Sequence, residues 1–161
     1  MTWLRAEGGS ASLMVIAALP LLSIVLAAVL EVGALRVLAA RARAAADLAA
    51  TVAVNDQDDA ELARSGRLVL AADAVDVARA YLATNLGSLG PALAGDADDV
   101  AAGADIAVFA DAPAVDPRTG ERYDRPTVRI AATVPFRTPV LGALIGRPTT
   151  LVFVRAASAA R

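Results

Sequence analysis

The longest stretch of apolar residues lies near the N-terminus. Ala11 to Leu30 contains no charged side chain and consists mostly of alanine, leucine, valine and isoleucine. As a helix, a run of about 20 residues spans about 30 Å, the thickness of the hydrocarbon core of a bilayer. Pro20 lies within the run, and membrane helices tolerate proline better than soluble helices do. The pattern therefore predicts a membrane-spanning helix in preference to a buried core helix.

The helical pattern continues beyond this run. From Glu31 to Val54 no proline interrupts the chain, and apolar residues recur at steps of three and four. These are Leu35, Leu38, Ala42, Ala45, Ala49 and Val52. We expect one helix over residues 10–54, with its first half in lipid and its second half outside. A cleavable signal peptide is the competing interpretation, but its apolar region is only about 7–15 residues long and a cleavage region follows it.

The middle of the chain predicts one further helix. Residues 55–61 form a polar break, and residues 87–103 form a connector rich in glycine, proline and aspartate. Between them, Leu68–Leu86 has helical spacing of apolar residues, and we expect this helix to cover a sheet. Its apolar stripe consists of Leu68, Ala71, Ala72, Val75, Ala78 and Leu82.

The last third of the chain changes to strand periodicity. Val128, Ile130, Ala132 and Val134 alternate with other residues, which predicts a half-buried strand over 127–136. We also expect strands over 105–110 and 149–157, a long hairpin loop over 112–126, and a short helix or apolar turn over 138–146. Helices followed by three strands predict an α+β fold with a small antiparallel sheet.

The composition excludes several kinds of catalytic and metal-binding site. The 161 residues include no cysteine, histidine or lysine; all 15 cationic side chains are arginine, against 17 acids, and the net charge is −2. Disulfides and cysteine-ligated metals are excluded, and the commonest general base and metal ligand is missing. A net charge near zero provides no basic surface for binding nucleic acid. Aromatic residues make up only 4% of the chain, which argues against a site that stacks sugars or bases. We expect no catalytic residue, cofactor, metal, nucleic acid or small-molecule substrate.

Short acidic clusters at 56–59 and 96–99 are the one feature that suggests calcium. An EF-hand loop alternates its acids, follows them with glycine and ends on a distant glutamate. Ala60 and Glu61 follow the first cluster instead. Both clusters are therefore interpreted as solvated loops.

Several short motifs occur in a fixed order along the chain. Glu7-Gly8-Gly9-Ser10 is followed by Leu19-Pro20, Glu31-Val32-Gly33 and an alanine-rich stretch with one aspartate, Arg43 to Ala50. Near the C-terminus a valine-rich strand leads into Pro139-Val140-Leu141-Gly142 and a threonine-rich strand. In this order and spacing the chain resembles the TadE/TadG-like proteins of bacterial Tad (Flp) pilus systems. Residues 55–100 carry no such resemblance.

The resemblance implies a pilin-like architecture and a non-enzymatic role in assembling an adhesive pilus, as a minor pilin, pseudopilin or envelope assembly factor. It implies a single-pass protein of the bacterial cytoplasmic membrane, with its C-terminal part extracytoplasmic and the chain either in the pilus or in the envelope. The positive-inside rule alone favours the opposite orientation, because Arg36, Arg41 and Arg43 outnumber Arg5. We adopt the orientation that the family implies, since a very short N-terminal tail is easily held on the cytoplasmic side.

Processing and subunit contacts follow from the same resemblance. Related prepilins are cut after a glycine, which makes Gly9 and Ser10 the candidate processing site. The fifth mature residue would then be Met14, whereas prepilins have glutamate there, and an uncut TadG-like protein fits this difference better.

Glu31 is the first charge after the apolar run. It is interpreted either as an inter-subunit salt-bridge partner or as an interfacial carboxylate where the helix leaves lipid. The apolar segment Pro139–Ile145 is expected to meet a partner subunit. Glu31, Leu141 and Ile145 are therefore the predicted subunit-contact residues, facing another pilus or secretion-system membrane protein or a second copy.

We predict three regions: a leader-like tail over 1–9, the membrane helix and its extension over 10–54, and an extracytoplasmic α+β domain over 55–161. Two other functions remain open. A pseudopilin-like subunit of another secretion system would be favoured by an early glutamate and a longer basic leader, both missing here. An anchored enzyme would need a general base, for which two carboxylates facing each other across a cleft would suffice, and nothing in the sequence brings such a pair together.

Overall fold

The first helix, α1, is the longest element. In a computed structural model, which describes residues 7–66 and 69–160, α1 runs from Glu7 to Asn55. The helix continues through Pro20, and Ser23 Oγ donates a hydrogen bond of 2.9 Å to the Leu19 carbonyl oxygen. The single long helix predicted over 10–54 is confirmed.

The first half of α1 is exposed along most of its surface. From Met14 onward the helix is long and apolar enough to cross a membrane, with a window of mean hydropathy 2.6 that is 0% buried. Leu22 and Leu30 are each 65% exposed. The core helix of a soluble protein would be covered by the rest of the chain, so this exposure is consistent with a membrane anchor.

The other helices are short. They are α2 (Asp59–Ser65), α3 (Ala74–Gly87), a 3-10 turn (Gly90–Ala92), α4 (Ala97–Ala102) and α5 (Pro139–Ile145). Asp58 and Asp96 lie at the starts of α2 and α4, where their carboxylates accept hydrogen bonds from the amides of Glu61 and Asp98 (3.0 and 2.8 Å). Capping of helix N-termini therefore explains an acid in each of the two acidic clusters.

The helix predicted from Leu68 begins later than expected. Leu68 lies outside the described residues, and Leu70 pairs with Gln57 in an isolated antiparallel bridge. The amide of Ala71 donates to the carbonyl oxygen of Asp56 at 3.0 Å. These long-range hydrogen bonds hold the segment extended, so α3 starts only at Ala74.

The described residues after α4 include five strands. They are β1 (Asp105–Phe109), β2 (Ala114–Val115), β3 (Arg122–Tyr123), β4 (Thr127–Arg137) and β5 (Thr149–Ala159). The main sheet has the antiparallel order β1-β4-β5, with Ile106 opposite Ile130 and Ala132 opposite Val154. Strands β2 and β3 form a separate small hairpin inside the predicted loop 112–126. The α+β fold with a small antiparallel sheet is confirmed.

The second half of α1 lies at the centre of the core. It contacts α3 as well as β4 and β5, whereas α3 reaches the sheet at β1. The buried positions are spaced like one helix face: Ala42, Ala45, Ala46, Ala49, Ala50 and Ala53. Because alanine is small, α1 can approach the sheet closely, and α1 takes most of the covering role that the sequence assigned to the next helix.

Strand β4 departs from simple alternation at its start. Val128, Ile130 and Val134 are buried as predicted, but Thr127 and Arg129 are buried as well. The half-buried prediction is therefore wrong for this end of the strand, which is covered on both faces.

Candidate functional site at the junction of α1 and α5

Helix α5 is a short apolar helix between two long strands. Pro139 occupies its first turn, where the fixed φ of proline suits a helix start. Gly146 ends the helix with a φ of 70°, and the amide of Arg147 donates to the carbonyl oxygen of Gly142 at 3.0 Å. Of the two predictions for this segment, the short helix is confirmed.

The N-terminus of α5 is capped by a residue of α1. Thr138 is in the capping position, but its side chain makes no capping hydrogen bond. Instead the two carboxylate oxygens of Glu31 accept hydrogen bonds from the amides of Val140 (3.2 Å) and Leu141 (2.5 Å). A carboxylate at this position satisfies amides that lack a partner within the helix and interacts favourably with the helix dipole.

A close backbone approach holds α5 in place from the other side. Gly142 is buried, and a Cβ atom added to it would lie 2.6 Å from the Cα of Pro148 and 2.7 Å from the carbonyl oxygen of Arg147. The chain that leaves α5 therefore folds back across the helix at Gly142. Only glycine fits at this crossing.

An apolar groove runs along α1 beside α5. Its volume is about 580 Å³, and Leu144 of α5 forms part of its wall together with residues of α1 from Ile24 to Arg36. Leu144 and Ile145 are 57% and 63% exposed, and Leu141 is half-buried. At this junction the hydrogen bonds of Glu31 lie beside an apolar surface that extends toward the first half of α1.

The predicted subunit-contact residues lie in one region. Glu31 and Leu141, 110 positions apart in sequence, are hydrogen-bonded to each other within the chain, and Ile145 is exposed at the end of the same short helix. Gly9 and Ser10 belong to the backbone of the first turns of α1, about 30 Å along the helix axis from Glu31. The candidate processing site is therefore separate from the junction.

A second polar feature, which the sequence did not indicate, lies on the outer face of the sheet. Arg129 is 3% exposed, and its Nη2 donates to Asp105 Oδ2 at 2.9 Å. Its Nε lies 2.8 Å from Oδ2 of the fully buried Asp116, an ion-pair distance without hydrogen-bond geometry. Arg118 reaches the same oxygen of Asp105 at 2.7 Å. These four residues bind the β2–β3 hairpin to the sheet.

Asp116 organises the turn of the hairpin. Its carboxylate accepts hydrogen bonds from the Arg118 amide and the Thr119 hydroxyl, both at 2.9 Å. Burial alone would raise the pKa of Asp116, but these hydrogen bonds and the charges of Arg129 and Arg155 outweigh it and lower that pKa below its ordinary value. The carboxylate is therefore held in its ionised form.

Aromatic and polar contacts complete the hairpin. The rings of Phe109 and Tyr123 lie 5.0 Å apart, and Arg155 forms an ion pair with Glu121. Burial, as the largest effect, raises the pKa of the Tyr123 hydroxyl. An arginine on the polar side of an alternating strand is expected to face solvent, so the residue pattern did not predict this cluster. Its charges are paired with one another, which suits a structural role.

The comparisons with known proteins bear on α1. Residues 9–56 match the family model described as putative Flp pilus-assembly TadE/G-like. No curated protein and no solved structure matches the chain. The TadE-like resemblance is therefore confirmed over the N-terminal region, and the match supports a role related to pilus assembly. It coincides almost entirely with α1 and ends before α3, the sheet and α5.

Proposed function

We propose that this chain is a single-pass inner-membrane protein of Tad pilus assembly, acting as a minor pilin, pseudopilin or envelope assembly factor without enzymatic activity. The match of residues 9–56 to the TadE/G-like family is the observation that carries the proposal. The same residues form the long helix whose first half is apolar and exposed. Residues 55–161 are proposed to be the extracytoplasmic domain.

The way the domain is joined to the helix supports an assembly role. The alanine face of α1 is part of the core, so no flexible linker separates the anchor from the folded part. A second connection, from Glu31 to α5, lies next to the apolar run. The anchor and the domain are therefore joined at two places, which suits a subunit that is positioned in the membrane before it meets a partner.

A gene deletion in the native bacterium tests this function. We expect loss of surface pili by electron microscopy and of pilus-dependent adhesion, both restored by the wild-type gene. Arg79→Ala removes a surface ion pair between the half-exposed Arg79 and the exposed Asp76, so it should restore pili and serves as a control for complementation by a variant gene. Normal piliation in the deletion strain would contradict the proposal.

Processing at Gly9 and Ser10 is a separate part of the proposal. We expect the chain to be uncut or only partly cut, because Met14 replaces the early glutamate of prepilins. Intact mass of the protein purified from native membranes measures this directly. A mass corresponding wholly to residues 10–161 would show complete cleavage and reverse the expectation.

A further inference from the structure

Helix α5 places apolar side chains beside the apolar surface of α1. Leu144 lines the same groove as Ile24, Val25 and Val29, which belong to the uncharged run. Ile24 is about 10 Å below Glu31 along the helix axis. If the uncharged run lies in lipid, the groove that Leu144 borders extends into the membrane rather than ending above it.

Arginine side chains lie on either side of the apolar segment that contains α5. Residues 138–146 contain no charged side chain, whereas Arg137 and Arg147 flank the segment directly. The Nε of Arg137 also donates a hydrogen bond of 3.2 Å to the Leu93 carbonyl oxygen. Arg36 lines the groove at its other end, about 18 Å along α1 from Ile24. Apolar residues with arginines at their margins are typical of elements at a membrane interface, where the arginines reach the headgroups.

Several backbone amide and carbonyl groups of α5 have hydrogen-bond partners within the protein. Within the described residues around the helix start, the amides of Val140 and Leu141 bond to Glu31, and the amide of Gly142 donates to the Thr138 carbonyl oxygen at 2.7 Å. The Gly142 carbonyl oxygen in turn accepts from Arg147. Backbone groups that enter a membrane must be satisfied within the protein, and these contacts satisfy the amides at the start of α5 and the Gly142 carbonyl oxygen.

We propose that α5 is a second membrane contact, which inserts Leu144 and Ile145 into the leaflet on the side of the folded domain. The occupant of this surface is lipid, because the surface is continuous with the apolar face of the membrane helix and bordered by arginines. Glu31 fixes the depth of α5 relative to α1. The inference rests on the membrane-spanning part of the proposed function and extends it to how the domain is held against the bilayer.

Single-cysteine labelling tests the proposal, since the chain has no native cysteine. Ile145→Cys is labelled with an environment-sensitive fluorophore in the full chain, in nanodiscs that hold one copy each. Phe153→Cys is the matched control, because Phe153 is similarly exposed (67%) but lies on the sheet. We expect spin-labelled lipids to quench the label at 145 several-fold more strongly than at 153, and aqueous iodide to do the reverse.

A third site separates failure of this inference from failure of the anchor. Val25→Cys lies in the uncharged run and should be quenched by lipid whether or not α5 inserts. Lipid quenching at 25 with iodide quenching at 145 equal to that at 153 overturns the α5 proposal alone. Iodide quenching at all three sites overturns the membrane anchor as well. Protection of 145 that appears only in discs holding several copies assigns the surface to a second copy and also contradicts the proposal.

Discussion

The two halves of α1 belong to one helix but differ in what surrounds them. In the first half, large apolar side chains such as Leu22 and Leu30 are mostly exposed. In the second half, small ones such as Ala46 and Ala50 are completely buried. Ala17 and Ala18 in the first half are exposed as well, so the two halves differ in what packs against them. Large apolar side chains suit a lipid environment, where no close protein neighbour is needed, and alanines allow a sheet and a helix to pack closely.

The largest expected effect comes from a charge in the first half. Val25→Arg should weaken membrane insertion by roughly 2.5–3.5 kcal/mol, the cost of arginine near the centre of a membrane helix. Carbonate extraction measures the effect: the wild type and the matched control Val25→Leu should stay with membranes, and the arginine variant should be released in part. Release of the wild-type chain by carbonate would contradict the assignment of this half to lipid.

A larger side chain in the second half should give the next largest effect. Ala50 is completely buried, so Ala50→Leu should destabilise the folded part by about 1–3 kcal/mol through overpacking. Ala18→Leu makes the same change on the exposed half and should leave the thermal unfolding midpoint unchanged. The midpoint is measured on the full chain in detergent. Equal midpoints for the two variants would remove the contrast between the halves.

Near the junction of α1 and α5, two glycine-to-alanine substitutions distinguish the effect of packing from the effect of helix propensity. Gly142→Ala should cost about 1–2 kcal/mol, because the new Cβ meets backbone atoms that must move. Gly33→Ala meets nothing within 4 Å and should stabilise α1 by up to about 1 kcal/mol. Limited proteolysis around residues 138–148 reports whether α5 is loosened. Faster cleavage in both variants, or in neither, would argue against the close crossing at Gly142.

The last comparison concerns the β2–β3 hairpin and is measured as a pH dependence of stability. Because the pKa of Asp116 is lowered in the folded state, its ionised form contributes stability above pH 3.8, and this contribution is lost as the pH falls below that value. Asp116→Asn should lower the unfolding midpoint at neutral pH and flatten its decline below pH 3.8. Asp76→Asn changes an exposed acid and should do neither. An unchanged acid profile in Asp116→Asn would contradict the lowered pKa.

Local patterns were sufficient for much of the fold. The uncharged run and the three- and four-residue spacing predicted α1 within a few residues, and alternation predicted β4 and the class of the sheet. The start of α3 was placed too early, because Leu70 pairs with Gln57. Apolar spacing alone cannot distinguish a helical turn from an extended segment that finds a partner elsewhere in the chain.

The residues of the candidate site were predicted individually, but the contact between them was not. Glu31 and the segment Pro139–Ile145 were each singled out, and their role in capping was not foreseen, because the two are joined by hydrogen bonds across more than 100 residues. The ion pairs of Arg129 were missed for a similar reason. Whether an arginine on a strand faces solvent depends on what folds over it, and Asp116 arrives there on a separate hairpin.

The sequence by itself determined where the chain is apolar enough for lipid, where it is helical or extended, and which chemistry its side chains lack, since these depend on composition and short-range periodicity. Tertiary structure alone decided that the alanine face of α1 would cover the sheet, that Glu31 would cap α5, and that Arg129 would be buried with Asp116. Each of these depends on a contact between distant segments, and such contacts form only when the whole chain packs.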